Sequence, residues 1–259
     1  MALFTDASVV TLDDLQKFET SLTQVASSHG INVDTKINLS LSAIGDKLML
    51  WLLSMGASDP QWLNRRLLGL STVVVTPTLQ RWICFDALSR FFAEAYNVQL
   101  NTRFQGKWTE YQNEATSAER MVFMSGVGVV FNPLPKPAMP LLSIQDGTAA
   151  AESMFIQTAW VDAMGNEGAL SPVNGQILSG AASIAVAMAE GSIDVPAAAT
   201  GWNIYASTTQ SNLTRQNASP LPIGSAWELP DSGLVMGSEP IDGQLPNVYV
   251  TLSHEIKRG

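Results

Sequence analysis

Cysteine is nearly absent: Cys84 is the only one in 259 residues. An intrachain disulfide is therefore excluded, as is any zinc site that needs several thiolates. Between Ile83 and Phe85, Cys84 reads as a buried apolar side chain rather than a reactive thiol. Histidine is scarce too. His29 and His254 are the only two, and neither stands at ligand spacing from another donor, so no metal site is expected on them. Lys and Arg number 14 against 23 acidic residues, a formal net charge of −9. An acidic chain without a basic run argues against a sequence-reading nucleic-acid binder. The shortage is uneven: residues 1–132 hold 10 basic and 12 acidic side chains, and residues 133–259 hold 4 and 11. Long apolar runs are missing as well. LMLWLL at 48–53 falls far short of the roughly 20 residues that cross a bilayer, so no membrane span is expected. MALFTDASVV lacks a basic stretch followed by an apolar one, so no secretory signal is expected.

The residues present are those of a folded protein: 46% hydrophobic and only 14% charged. Such a charge deficit suggests that partner protein covers part of the surface, and oligomerisation is the simplest cover. No catalytic constellation stands out. There is no GxSxG turn to present a nucleophile. GVGVVF at 126–131 lacks the third glycine and the lysine of a phosphate loop, and reads as a turn from a helix into a short strand. Asp13 and Asp14 suit the first turn of a helix, where carboxylates favour the positive end of its dipole. Neither enzymatic activity nor a cofactor is expected.

The pattern predicts an α+β protein of more than one domain, an α-helical bundle followed by an antiparallel β-sandwich. Thr11 with Asp14 predicts a capping box opening a helix through Leu12, Leu15, Phe18, Leu22 and Val25, which Gly30 ends. A second helix is expected from Leu39 to Met55, with apolar residues nearly all round from Leu48 to Leu53. Asp59-Pro60 and Thr76-Pro77 each place a cap residue before a first-turn proline and predict two more helices. In the second of these, Phe85, Leu88, Phe92, Ala95 and Tyr96 form the apolar stripe, opposite a ladder of Asp86, Arg90 and Glu94. Phe104, Trp108, Tyr111, Ala115, Ala118 and Val122 form a heptad seam that needs a partner helix. Helical domain 1–132 is expected to end at a proline-rich linker, 133–140, and the sandwich to occupy 141–259 with its tail. Period-two candidates are 154–161, 176–178, 183–188, 202–207, 226–229 and 247–252. Trp160, Trp202 and Trp227 are expected to fill the sandwich core, the alternative being a sugar-binding platform.

The helix TPTLQRWICFDALSRFFAEAYNVQL and the stretch QLNTRFQGKWTEYQNEATSAERMVFMSGVGVVFNPLPKP resemble the helical domain of tailed-bacteriophage head-to-tail connector proteins, also called adaptor or neck proteins. TAWVDAMGNEGALSP and TGWNIYASTTQSNLTRQNASPLPIGSAWELPDSGLVMGSEP look like the immunoglobulin-like or fibronectin-type module often fused to phage structural proteins. The resemblance implies a structural virion protein made in the cytoplasm of the host bacterium and resident in the virion neck. It implies a homo-oligomeric ring, commonly of twelve subunits, below the portal protein, extending the channel through which packaged DNA passes without sequence-specific binding. A downstream neck or tail protein would dock on it. Within that expectation Leu48, Leu50, Trp51, Phe104, Trp108 and Tyr111 are the candidate assembly contacts, and His254, Glu255, Lys257 and Arg258 a candidate portal-docking tail. The alternatives are a tail, baseplate or capsid-decoration component, or a carbohydrate-binding adhesin built on the second-half tryptophans.

Overall fold

The computed structural model describes residues 1–54, 69–99, 102–188 and 195–251. The protein is α+β, with helices in the first half and antiparallel sheets in the second. It forms two compact units, each discontinuous in sequence. One combines Ala7–Phe131 with Pro246–Gly259; the other combines Met1–Asp6 with Asn132–Leu245.

In the helical unit, Thr11 and Asp14 form the expected capping box ahead of α1 (Leu12–Gln16). The helix does not run on to Val25. It stops at Lys17, and α2 (Leu22–His29) begins after a corner in which the amides of Phe18 and Glu19 both donate to the Leu15 carbonyl. Gly30, at a left-handed φ of 66°, ends α2. The third helix, α3 (Val33–Ser54), starts earlier than its apolar pattern indicated, because Asn32 caps it by accepting from the Thr35 amide at 2.9 Å. After a 3₁₀ turn at Gly69–Thr72 comes α4 (Pro77–Gln99), with Thr76 capping and Pro77 at the first position as expected. The helix expected at Asp59-Pro60 lies outside the described residues.

Within the subunit, the helix buried nearly all round is not α3. Leu48, Trp51 and Leu52 of α3 are buried, but Leu50 is 67% exposed. It is α4 that sits at the centre, burying Leu79, Trp82, Ile83, Cys84, Ala87, Leu88, Phe91, Phe92 and Ala95. The Cys84 thiol, desolvated there, is pushed up to about 12. Its charge ladder is nonetheless present: Arg90 pairs with Asp86 at 2.6 Å, and Glu94 pairs with Lys36 of α3.

The next helix, α5 (Thr102–Ser125), lays Phe104, Tyr111, Ala115, Ala118 and Val122 against α4, so the heptad seam finds its partner within the chain. At Gly126 the backbone takes φ of 99° and turns into β1 (Val127–Val129). A Cβ there would lie 3.0 Å from that of Tyr249, which holds the position to glycine. That neighbour belongs to β10 (Val248–Val250), which pairs antiparallel with β1. The last strand thus serves the helical unit, a departure from its expected place in the sandwich.

In the other unit, β2 (Leu141–Ala149), β5 (Ala182–Ala187) and β9 (Trp227–Glu228) form one antiparallel sheet, in the order β2-β5-β9. A second sheet runs β4 (Asn174–Leu178), β3 (Glu152–Asp162), β6 (Ala199–Ser207), β7 (Thr214–Arg215), with β8 (Leu221–Pro222) also on β6. Both sheets contribute to one core, in which Met154, Ile156, Trp160, Ile184, Val186, Trp202, Ile204 and Trp227 meet. Period-two alternation brings this about: Trp202, Ile204 and Ala206 face the core, and Asn203 and Tyr205 face away.

The proline-rich segment is not a bare spacer. Leu134 is wholly buried in that core, and its amide donates to Gln244 Oε1 at 3.0 Å. The amide of Lys136 donates to Asp6 Oδ1 at 2.8 Å, while Leu3 and Phe4 are buried in the same unit. Prolines that forbid helix and ladder alike leave this segment extended, and its buried Leu134 supplies the anchor.

Candidate assembly surfaces

The sequence-derived assembly residues do not share one surface. Leu48, Trp51, Phe104 and Tyr111 are buried inside the helical unit, Trp108 is half-buried, and Leu50 alone stands in solvent. Trp108 stacks on Tyr96 with ring centroids 6.0 Å apart. Tyr111 stacks on Phe92 at 5.6 Å and 12°. Leu48, Trp51, Phe104 and Tyr111 therefore pack within one subunit. Their spacing marked them as apolar, and it is equally the spacing of a core face. His254, Glu255, Lys257 and Arg258 lie outside the described residues.

Around Tyr111 a small polar cluster fastens α5 to the corner between α1 and α2. The phenol donates to Glu19 Oε2 at 3.1 Å, Lys107 Nζ lies 3.0 Å from the same oxygen, and Ser21 Oγ donates to Glu19 Oε1 at 2.6 Å. Burial alone would raise the Glu19 carboxyl, but the hydrogen bonds from Ser21, Lys107 and Tyr111 together hold it below its usual value of 4.5. Burial, followed by the Glu19 charge, pushes the Tyr111 phenol up. Because the folded-state pKa of Glu19 is depressed, its stabilisation is present above the unfolded value and is lost as pH falls through the folded one. Glu19→Gln is accordingly expected to unfold more easily than the parent at pH 7, with the two denaturation midpoints converging as pH falls below about 4.5. Chemical denaturation at a series of pH values measures this; a gap independent of pH would remove the charge from the explanation.

Two groups of exposed apolar side chains among the described residues lie on regular elements and could meet a partner. On α3, Leu39 and Leu50 are 46% and 67% exposed. Eleven residues apart, they lie on one side of the helix about 16 Å from each other. In the other unit, β2 and β4 are the edges of their sheets, and their side chains Ile144 and Ile177 are 53% and 72% exposed. The edge strand β2 was missed in the sequence because its polar and apolar residues mix on a largely exposed strand; Leu142 and Ile144 two apart were its only period-two signal.

The face of the second sheet away from the shared core carries a buried polar network rather than an open site. Tyr205 OH donates to Glu167 Oε2 at 2.8 Å. Asn217 accepts from the Ile204 amide and donates to Asn203 Oδ1 and the Ser219 carbonyl. Desolvation raises the Glu167 carboxyl, against the hydrogen bonds from Tyr205 and Asn203. This network ties the loops 163–173 and 208–217 to β6. Trp160, Trp202 and Trp227 are 3%, 0% and 7% exposed, which removes them as a sugar-binding platform.

In the helical unit a cleft of about 440 Å³ is lined by residues that include Thr78, Arg81, Phe85, Glu114, Ser117 and Met121. Among the described residues no group of three or more His, Cys, Asp or Glu could hold a metal ion, and no helix is long and apolar enough to cross a membrane. Residues 132–245 contain two basic side chains, Lys136 and Arg215, against ten acidic ones. Such a surface offers little to a phosphate backbone. No protein-family model, curated protein or solved structure matches this chain.

Proposed function

We propose that this chain is a structural virion protein, a head-to-tail connector that assembles as a ring below the portal and extends the DNA channel towards the tail. The observation that carries this reading is the pair of exposed leucines, Leu39 and Leu50, on the outer side of a long helix whose other face is packed. Exposed leucines aligned on one side of the same helix are where a partner subunit would gain most apolar burial. In this reading the helical unit builds the ring through α3. The unit that holds residues 132–245 is an immunoglobulin-like β-sandwich that braces a neighbour or faces outward. Two antiparallel sheets meeting over the shared tryptophan and aliphatic core support that description. The acidic surface suits a wall past which DNA slides, since like charge keeps phosphate from adhering.

The test is native mass spectrometry of the chain with and without the portal ring of the same virion. Leu50→Asp is expected to keep the parent melting temperature within about 2 °C, because Leu50 already faces water, and to abolish the ring. A portal-bound ring of fixed stoichiometry formed equally by Leu50→Asp would overturn the role of α3. A monomer that ignores the portal would transfer the protein to the tail, baseplate or decoration class.

A further inference from the structure

The edge strand β2 exposes the side of the sheet that should be closed. Directly opposed residues of an antiparallel pair point to the same face. Leu142 stands opposite Val186, Ile144 opposite Ile184 and Asp146 opposite Ala182, and all three β5 partners belong to the core. Ile144 and Asp146 therefore point to the core side, yet Ile144 is 53% exposed and Asp146 is exposed as well. Among the described residues β2 pairs only with β5, so its outer backbone groups are available to another strand. Natural edges are usually blunted by Lys, Pro, bulges or inward-pointing charge. Here the register shift between Asp146 and Ala149 closes the far end, and residues 141–145 carry no charge and no proline. Asp146 makes the open part selective, because only a strand that sets a cation beside it avoids leaving a carboxylate unpaired.

We propose that residues 252–258 of a second copy add to this edge as a parallel strand, with Ile256 beside Ile144 and Arg258 beside Asp146. The segment reads Leu-Ser-His-Glu-Ile-Lys-Arg and follows β10 after one residue. Leu252, His254, Ile256 and Arg258 stand at alternate positions of this sequence, the spacing that one face of an added strand requires. The spacing from Ile256 to Arg258 repeats that from Ile144 to Asp146 in the same direction, which selects the parallel register; the antiparallel one would set Arg258 beside Leu142. Charge agrees, since Lys257 and Arg258 are two of the three basic residues after Lys136, and the receiving unit is strongly acidic. Strand addition of this kind takes its affinity from main-chain hydrogen bonds and its choice of partner from alternate side chains. It is a head-to-tail contact, which closes into a ring when the rotation between copies allows. It deepens the connector reading and rests on it for the closure of the ring.

The test is a charge swap in the full-length chain. Asp146→Arg and Arg258→Asp are each expected to weaken self-association about tenfold or more, and the double variant to recover most of the loss. Native mass spectrometry with and without the portal ring reads the assembly, and hydrogen exchange reads those amides of 141–145 that point away from β5, which become protected only in the assembled parent. Asp146 is already exposed, so an unchanged melting temperature certifies the fold of each variant. Rings that form equally in all variants would overturn the strand addition and leave the connector reading standing. Failure of the double variant to recover, or protection of those amides independent of concentration, would also overturn it. A parent that is monomeric in every condition would overturn both.

Discussion

Excised as a separate piece, residues 141–259 are expected not to fold cooperatively, whereas residues 132–245 joined to residues 1–6 through a flexible linker are expected to do so. The shorter cut discards Leu134, a wholly buried member of the core, together with Leu3 and Phe4. It also retains β10, whose ladder partner β1 lies in the other unit. Losing one buried leucine costs about 2–5 kcal/mol, and removing Leu134, Leu3 and Phe4 together costs about 7–15 kcal/mol, as much as the 5–15 kcal/mol by which a domain is commonly stable. Tryptophan fluorescence during urea unfolding distinguishes the two, because Trp160, Trp202 and Trp227 are all buried in this core. A single sharp transition in 141–259, with the midpoint of the longer piece, would show that the flanking segments contribute little.

Tyr111→Asp should be the most damaging single substitution in the helical unit. It removes the ring stacked on Phe92 and places a second carboxylate beside Glu19, in a site that is 4% exposed. The cost of an uncompensated buried charge is about 3–5 kcal/mol, to which the lost aromatic packing adds. Tyr111→Phe separates the two effects. It keeps the ring and surrenders the hydroxyl's hydrogen bonds to Glu19 and the Phe18 carbonyl, while Glu19 still has Lys107 and Ser21, for a loss of about 1 kcal/mol. Thermal unfolding by circular dichroism reads both. Should the aspartate variant melt with the phenylalanine variant, the Glu19 cluster is not the fastening that its geometry describes.

The sequence was legible where local chemistry and packing agree. Thr11 with Asp14, Thr76 before Pro77, and the alternation of Trp202, Ile204 and Ala206 each act over a few residues, and each forms the element that its pattern announces. The break between α1 and α2 was not legible. It follows from Glu19 engaging Lys107 and Tyr111, partners about ninety residues away in the chain. The same limit explains the assembly residues. Heptad spacing shows that Phe104 and Tyr111 need an apolar neighbour, but not that α4 of the same chain supplies it. Only burial separates Leu50, which the pattern grouped with Leu48 and Trp51, from those core residues. The edge strand β2 escaped notice for a related reason: a strand covered on few sides shows little alternation.

The chain passes between its two units at three points, after Asp6, after Phe131 and after Leu245. This threading fixes an order of events during synthesis. The first six residues leave the ribosome well before the rest of the unit to which Leu3 and Phe4 belong exists, and β1 must wait for residues 248–250 before its ladder can form. Neither unit can therefore be completed while the chain is still short: one needs residues up to 245 and the other residues up to 250. If copies of the chain join in the proposed ring, that delay keeps a nascent chain from presenting a finished surface to its neighbours on the same message.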